Sequence, residues 1–255
     1  MGYSLFMLLA MAVFLLVRWQ TPVPRELARL PFWERALLLL AGFLGGMIGA
    51  KVPFIVGEGV AGLSSGEWLA DGKTITTGLL GAYLAVEAAK IALGLRLKTG
   101  DRFAPAIAAA LAVGRWGCFV NGCCYGARTT GFWGVDLIGD GPRYPTQVYE
   151  SVFHAAMFAL LLWLQAGDRL RTHRLQFYFI AYGLFRLASE SLRPEPIVWA
   201  GMTFYQLVSL LMIVLMAAQW GWEESSKPIP SADLPMELDE PNHQGAAKPH
   251  AAARK

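Results

Sequence analysis

The chain has 255 residues, 55% of them hydrophobic and only 16% charged, with a formal net charge of +3 and three cysteines. Soluble domains carry nearer a quarter of charged residues, and here the apolar residues gather in runs of roughly membrane length, about 17–25 residues. A soluble enzyme is therefore excluded. So is a nucleic-acid footprint, because no basic run interleaves with aromatics.

In chain order, the apolar runs predict seven transmembrane helices at about 3–17, 36–56, 75–95, 103–121, 147–165, 175–192 and 201–220. The expected fold is an all-α integral membrane protein. A seven-span domain covers residues 1–222, and a disordered cytoplasmic tail covers 223–255, rich in Pro, Ala and charge. The first run is followed, not preceded, by Arg18, Arg25 and Arg29. That is the reverse of a cleaved signal peptide, so it reads as a retained span. The segment 56–74 reads as an outer loop, with Glu58, Glu67 and Asp71 facing water.

Lys and Arg set the orientation. Arg18, Arg25, Arg29 and Arg35 occupy the first connection, Lys90, Arg96, Lys98 and Arg102 the third, and Arg169, Arg171 and Arg174 the fifth. Lys227, Lys248, Arg254 and Lys255 occupy the tail. The positive-inside rule then puts the N-terminus outside and the C-terminus in the cytoplasm.

Polar residues inside spans are costly and point to function. Entering from the cytoplasm, Arg115 and Arg186 lie roughly 18 Å deep at about 1.5 Å per residue, in the outer half of the membrane. Glu190 lies one turn past Arg186 on the same face. Gln147 and Glu150 open the fifth span, with His154 one turn on. Snorkelling to the interface accounts for Lys51 and Arg193. Several cations and two carboxylates at one level suit an anionic phospholipid headgroup, because arginine's planar fork binds phosphate bidentately. Glu87 and Lys90 read as a local ion pair. The glycines of GFLGGMIGAK and TTGLLGAY allow close helix packing and leave room for a lipid chain. The last span has no lysine, which excludes a retinal Schiff base, and charges clustered at one depth argue against a transport path.

All three cysteines fall in GRWGCFVNGCCYG, residues 114–126. Cys118 shares a helix face with Arg115. Asn121–Gly122 reads as a helix stop, leaving Cys123 and Cys124 in an outer turn. Three readings stand side by side: small apolar side chains lining a site, a disulfide or redox pair, or a metal site. A metal site would want four ligands, C-x4-C-C is no zinc pattern and the nearest candidate fourth ligand is His154, so no metal ligand set is assigned.

Together the motifs resemble the prolipoprotein diacylglyceryl transferase family. GRWGCFVNGCCYG resembles the family's GRxGNFxNxExxG signature. RYPTQVYE resembles its HPSQLYE segment, FRLASESLR its RFxxEFxR segment, TFYQLVS its MGQxxS segment and TTGLLG its HGGxxG segment. The resemblance implies a bacterial inner-membrane enzyme that needs no cofactor. Its partners would be a phosphatidylglycerol-like lipid and a lipobox-bearing preprotein. It would move a diacylglyceryl group from the one to a cysteine thiol of the other. It implies headgroup binding by Arg115, Asn121, Gln147, Lys51 and Gly78, and catalytic positions at Glu150, Arg186 and Glu190; Cys118 and Cys123 are catalytic candidates through their own thiols. Three departures mark the chain as a divergent member or paralogue. Thr76 stands for the family histidine, Cys118 for the first signature asparagine and Cys123 for the signature glutamate. Tyr144 also stands for the histidine of HPSQ. The alternatives are thiol-based or redox chemistry at Cys118 and Cys123 in a retained lipid pocket, or a lipid-binding protein without catalysis.

Overall fold

The computed structural model describes residues 2–58, 74–136 and 138–225. Among them the chain is mostly helical: α1 (Gly2–Gln20), α2 (Arg25–Arg29), α3 (Phe32–Glu58), α4 (Ile75–Ala92), α5 (Ala104–Val120), α6 (Thr146–Ala166), α7 (Arg174–Ser189) and α8 (Phe204–Ser225). Among the described residues six helical segments are long and apolar enough to cross a membrane: α1, α3, α4, α6, α8, and α5 with the short turn before it. The helix at the sixth predicted span, α7, has 16 residues and continues into a 3-10 turn, Glu190–Leu192.

The α1–α5, α3–α4, α5–α6 and α7–α8 pairs make the main contacts. The core lies among α4 to α8, where Leu80, Ala108, Leu161, Tyr178, Phe179, Met212 and Met216 are buried. Helix α1 has no buried residue and packs on the outside of α5. Large apolar side chains such as Leu8, Phe43, Ile48, Ile91 and Val214 stay exposed, as expected of helices solvated by lipid rather than water.

Helices α3 and α4 approach backbone to backbone through the predicted glycines. A Cβ on Gly81 would sit 2.4 Å from the Gly45 carbonyl oxygen and 2.9 Å from Gly49 Cα. Backbone cannot give way as a side-chain tip can, so Gly81→Ala is expected to destabilise the protein by about 1–3 kcal/mol. At Gly46 the added Cβ would meet Ala82 Cβ at 3.5 Å and Gly78 O at 3.7 Å, both ordinary contacts, so Gly46→Ala serves as the neutral control. Thermal unfolding in detergent distinguishes them; equal midpoints for the two variants would contradict the packing argument.

The structure adds detail at three places. The last helix runs through Ser225, and residues 226–255, most of the expected tail, lie outside the described residues. Helix α3 extends to Glu58, past the expected end of the second span, and the rest of the proposed outer loop, 59–73, lies outside the described residues. The fold among the described residues is helical as expected, with one short antiparallel hairpin, Ile197–Trp199 (β1) paired with Met202–Thr203 (β2), before α8. Ala200 and Gly201 close that hairpin with φ of 49° and 76°, the left-handed pair that such turns require.

Candidate functional site

The polar cluster forms where three helix ends meet the loop that joins α5 to α6. Helix α5 carries Pro105 in its first turn, where the N–H groups have no helical partner. It ends in a Schellman arrangement: Gly122 N–H donates to Phe119 O at 3.1 Å and Cys123 N–H to Cys118 O at 3.1 Å. Gly122 has φ 63° there, a conformation glycine adopts without steric cost. Arg115 is thereby fixed near the end of α5.

Helix α6 brings Glu150 to the same level. Its first turn clamps the cysteine loop: Gln147 Nε2 donates to Cys123 O at 2.6 Å and Thr146 Oγ1 to Cys124 O at 2.9 Å. Ser151 Oγ donates to Ala112 O at 2.7 Å and ties α6 to α5. Helix α7 and the turn after it supply Arg186 and Glu190, four residues apart as expected, with Arg186 Nη2 at 2.6 Å from Glu190 Oε2.

Glu150 is the hub. Its Oε2 lies 2.5 Å from Arg115 Nη2, 3.0 Å from Arg193 Nη2 and 3.8 Å from Arg186 Nη1. Its Oε1 accepts from the Tyr182 hydroxyl at 2.5 Å. Glu190 accepts from Thr203 Oγ1 at 3.3 Å. Glu150 is fully buried and Glu190 nearly so. Three guanidinium cations against two carboxylates leave one positive charge in a buried site. Arg115 Nε, Arg186 Nε, Arg186 Nη1 and Arg193 Nε have no hydrogen-bond partner there among the described residues. Buried donors of this kind are uncommon and point to a ligand. An excess cation with inward N–H groups fits a phosphate oxyanion.

The structure thus brings together Arg115, Glu150, Arg186 and Glu190, with Gln147 beside them. Cys118 lies against Arg115, with Sγ 3.9 Å from Nη1. Asn121 caps α5 and is exposed. Gly78 lies apart, packed on α3, where a Cβ would meet Ala50 Cβ at 3.3 Å and Gly46 O at 3.4 Å. Snorkelling is corrected for both residues it was invoked for. Arg193 folds inward onto Glu150, and Lys51 is buried at 4% exposure within the protein.

Two members escaped the sequence reading. Tyr182 precedes Arg186 by four residues, so the spacing Y-x3-R-x3-E would have placed it on the same face. Thr203 arrives on the hairpin, which left no periodic signal. His154, one turn past Glu150, contacts the Tyr178 hydroxyl through Nδ1 at 2.9 Å, and its Nε2 has no partner among the described residues.

Outside the helices, the α5–α6 loop is held by its own charges. Arg143 Nε donates to Asp140 Oδ1 at 2.9 Å and Arg128 Nη2 to Asp140 Oδ2 at 3.2 Å. The hydrogen-bonded Arg143 guanidinium, with Arg128 behind it, holds the Asp140 carboxyl well below the usual carboxylate range. At the opposite end of the bundle, Glu87 and Lys90 form the expected local pair at 2.6 Å.

Comparison with known proteins fits this geometry. The family model for prolipoprotein diacylglyceryl transferase matches residues 1–222. A Clostridium perfringens protein named phosphatidylglycerol–prolipoprotein diacylglyceryl transferase 2 is 27% identical over 183 residues, covering 67% of this chain and 72% of its own length. A phosphatidylglycerol–prolipoprotein diacylglyceryl transferase of Clostridium tetani is 30% identical over 190 residues, covering 70% and 76%. One of the same name from Thermosynechococcus vestitus is 33% identical over 152 residues, covering 54% and 56%. The chain thus spans between about half and three quarters of these relatives' lengths. With the family model matched along nearly the whole helical bundle, the chain belongs to the prolipoprotein diacylglyceryl transferase family, a family of membrane transferases.

Proposed function

We propose that the protein transfers a diacylglyceryl group from a phosphatidylglycerol-like phospholipid to the cysteine thiol of a lipobox-bearing preprotein, in the bacterial inner membrane. The observation that carries this reading is the buried cluster of Arg115, Arg186 and Arg193 around Glu150 and Glu190, with its one excess positive charge. We place it in the outer half of a seven-span bundle, with α7 as the sixth span, the N-terminus outside and the C-terminus in the cytoplasm. The alternation of basic residues supports that orientation.

In this reaction the thiol sulfur attacks a glyceryl carbon. The carbon–oxygen bond to phosphate breaks, a thioether forms and glycerol phosphate leaves. The arginines stabilise charge developing on the departing phosphate oxygen, the role of donors aimed at a transition state. Glu150 holds the arginines in place, since both its oxygens already accept from donors. The thiol proton goes to His154. In the tautomer whose Nδ1–H donates to Tyr178, Nε2 is the acceptor. Thr76, standing where the resemblance has a histidine, has no such capacity.

The test is direct. Purified protein with phosphatidylglycerol vesicles and a lipobox peptide is expected to yield a thioether-linked diacylglyceryl peptide, detected by mass spectrometry. Absence of product, with retained lipid, would replace this reading with a lipid-binding protein.

A further inference from the structure

The transferase reading leaves the three cysteines without a task. Their sulfur atoms lie within 4.8 Å of one another, with Cys123 Sγ 3.8 Å from Cys124 Sγ. They converge because the backbone is fixed on both sides. The Schellman turn ends α5 between Cys118 and Cys123, and Cys124 takes φ 61°, an unusual value for a residue with a Cβ. The buried Gln147 and Thr146 side chains then hold the carbonyls of Cys123 and Cys124. Convergence is therefore imposed by the fold and is not a chance of three flexible side chains.

We propose that Cys118, Cys123 and Cys124 bind one soft, thiophilic metal ion at the rim of the arginine site, with cuprous copper as the best match. Three thiolates about 2.3 Å from an ion stand roughly 4 Å apart, close to the spacing these sulfurs already have. Thiolate sulfur selects soft d10 ions. Zinc asks for a fourth ligand, and among the described residues the group holds only these three. Cys124 is exposed and the other two are partly so, which gives an ion a way in. On binding, each thiol gives its proton to solvent. Arg115, 3.9 Å from Cys118 Sγ, offsets part of the resulting negative charge.

This assignment does not depend on the transferase reading, and its test measures no turnover. Full-length protein, reduced and kept anaerobic in detergent, is titrated with cuprous ion against a bathocuproine competitor. It is then alkylated with N-ethylmaleimide and weighed intact. One copper per chain is expected to survive the competitor, and the alkyl adducts are expected to fall from three to none. Cys124→Ser, an exposed position, is expected to keep the fold and to weaken binding by more than about tenfold, the loss that even an outer-shell change brings to a metal site. Less than one retained copper, three adducts in the copper-loaded protein, or unchanged affinity in Cys124→Ser would each overturn the site. Retention of zinc in place of copper would overturn the three-coordinate assignment.

Discussion

Arg115→Gln is expected to lower diacylglyceryl transfer by about 10²–10³-fold, the loss typical of removing one donor aimed at developing charge, while the protein stays folded. The geometry separates the two effects. Arg115 is the contribution of α5 to the cluster, at 2.5 Å from Glu150. Without it, Glu150 Oε2 keeps Arg193 at 3.0 Å and Arg186 at 3.8 Å, and Oε1 keeps Tyr182. The remaining cations still match the remaining carboxylates in number, so no buried charge is stranded. Arg115→Lys should restore only part of the rate, because an ammonium lacks the planar fork that grips a phosphate from two sides. The measurement is the rate of thioether formation beside the unfolding midpoint in the same detergent. A rate near that of the parent would remove the arginine from the chemistry.

Much of this site was legible because helices carry short-range geometry in the sequence. Arg186 and Glu190 meet because residues four apart share a face. The stop at Asn121–Gly122 follows from glycine's freedom at positive φ. Depth follows from helix rise alone, which brings Arg115 and Arg186 to one level. What stayed hidden depends on the chain returning from elsewhere. Arg193 lies beyond the end of α7, and one-dimensional distance from a span end reads it as snorkelling. Only the turn at Glu190–Leu192 shows it folding inward onto Glu150. Lys51 stays hidden for a related reason, since α3 continues past it to Glu58. Gly78 shows the converse. A motif position suggested ligand contact, yet its space is taken by the backbone of α3.

The cysteines illustrate a limit of motif reading. Cys118 and Cys123 stand where the family resemblance has polar residues, and from sequence small linings come first, a disulfide or redox pair second and metal ligands last. The fold narrows this by holding all three sulfurs together next to the arginine cluster but outside it. Threonine positions add a related contrast. Thr76 and Thr77 are buried in the first turn of α4, and the Thr77 hydroxyl contacts that of Thr74. The turn that the resemblance equips with a proton acceptor carries hydroxyls in this chain. The nearest imidazole to the hub along α6 is His154, one turn past Glu150, and that is why the proposed proton acceptor moves there.

Glu150→Ala should have the largest effect on stability, about 3–5 kcal/mol, the usual consequence of removing one member of a buried ion-pair network. The carboxylate is fully buried and touches Arg115, Arg186 and Arg193 at once. Its loss leaves those three cations facing Glu190 alone, in surroundings where an uncompensated charge is costly. For a chain of this size that corresponds to a fall of roughly 10 °C in the unfolding midpoint. Two further variants separate charge from packing. Glu150→Gln keeps the shape and an acceptor for Tyr182 but not the charge, so it should lose nearly as much as alanine. Adding Arg193→Met to Glu150→Ala removes one of the stranded cations and replaces it with apolar volume, so stability should partly return even though a second side chain has been changed. If Arg193→Met instead adds its own loss in full, the network is not coupled through Glu150. The electrostatic account of the hub then fails, because only a shared buried charge makes the second substitution restorative.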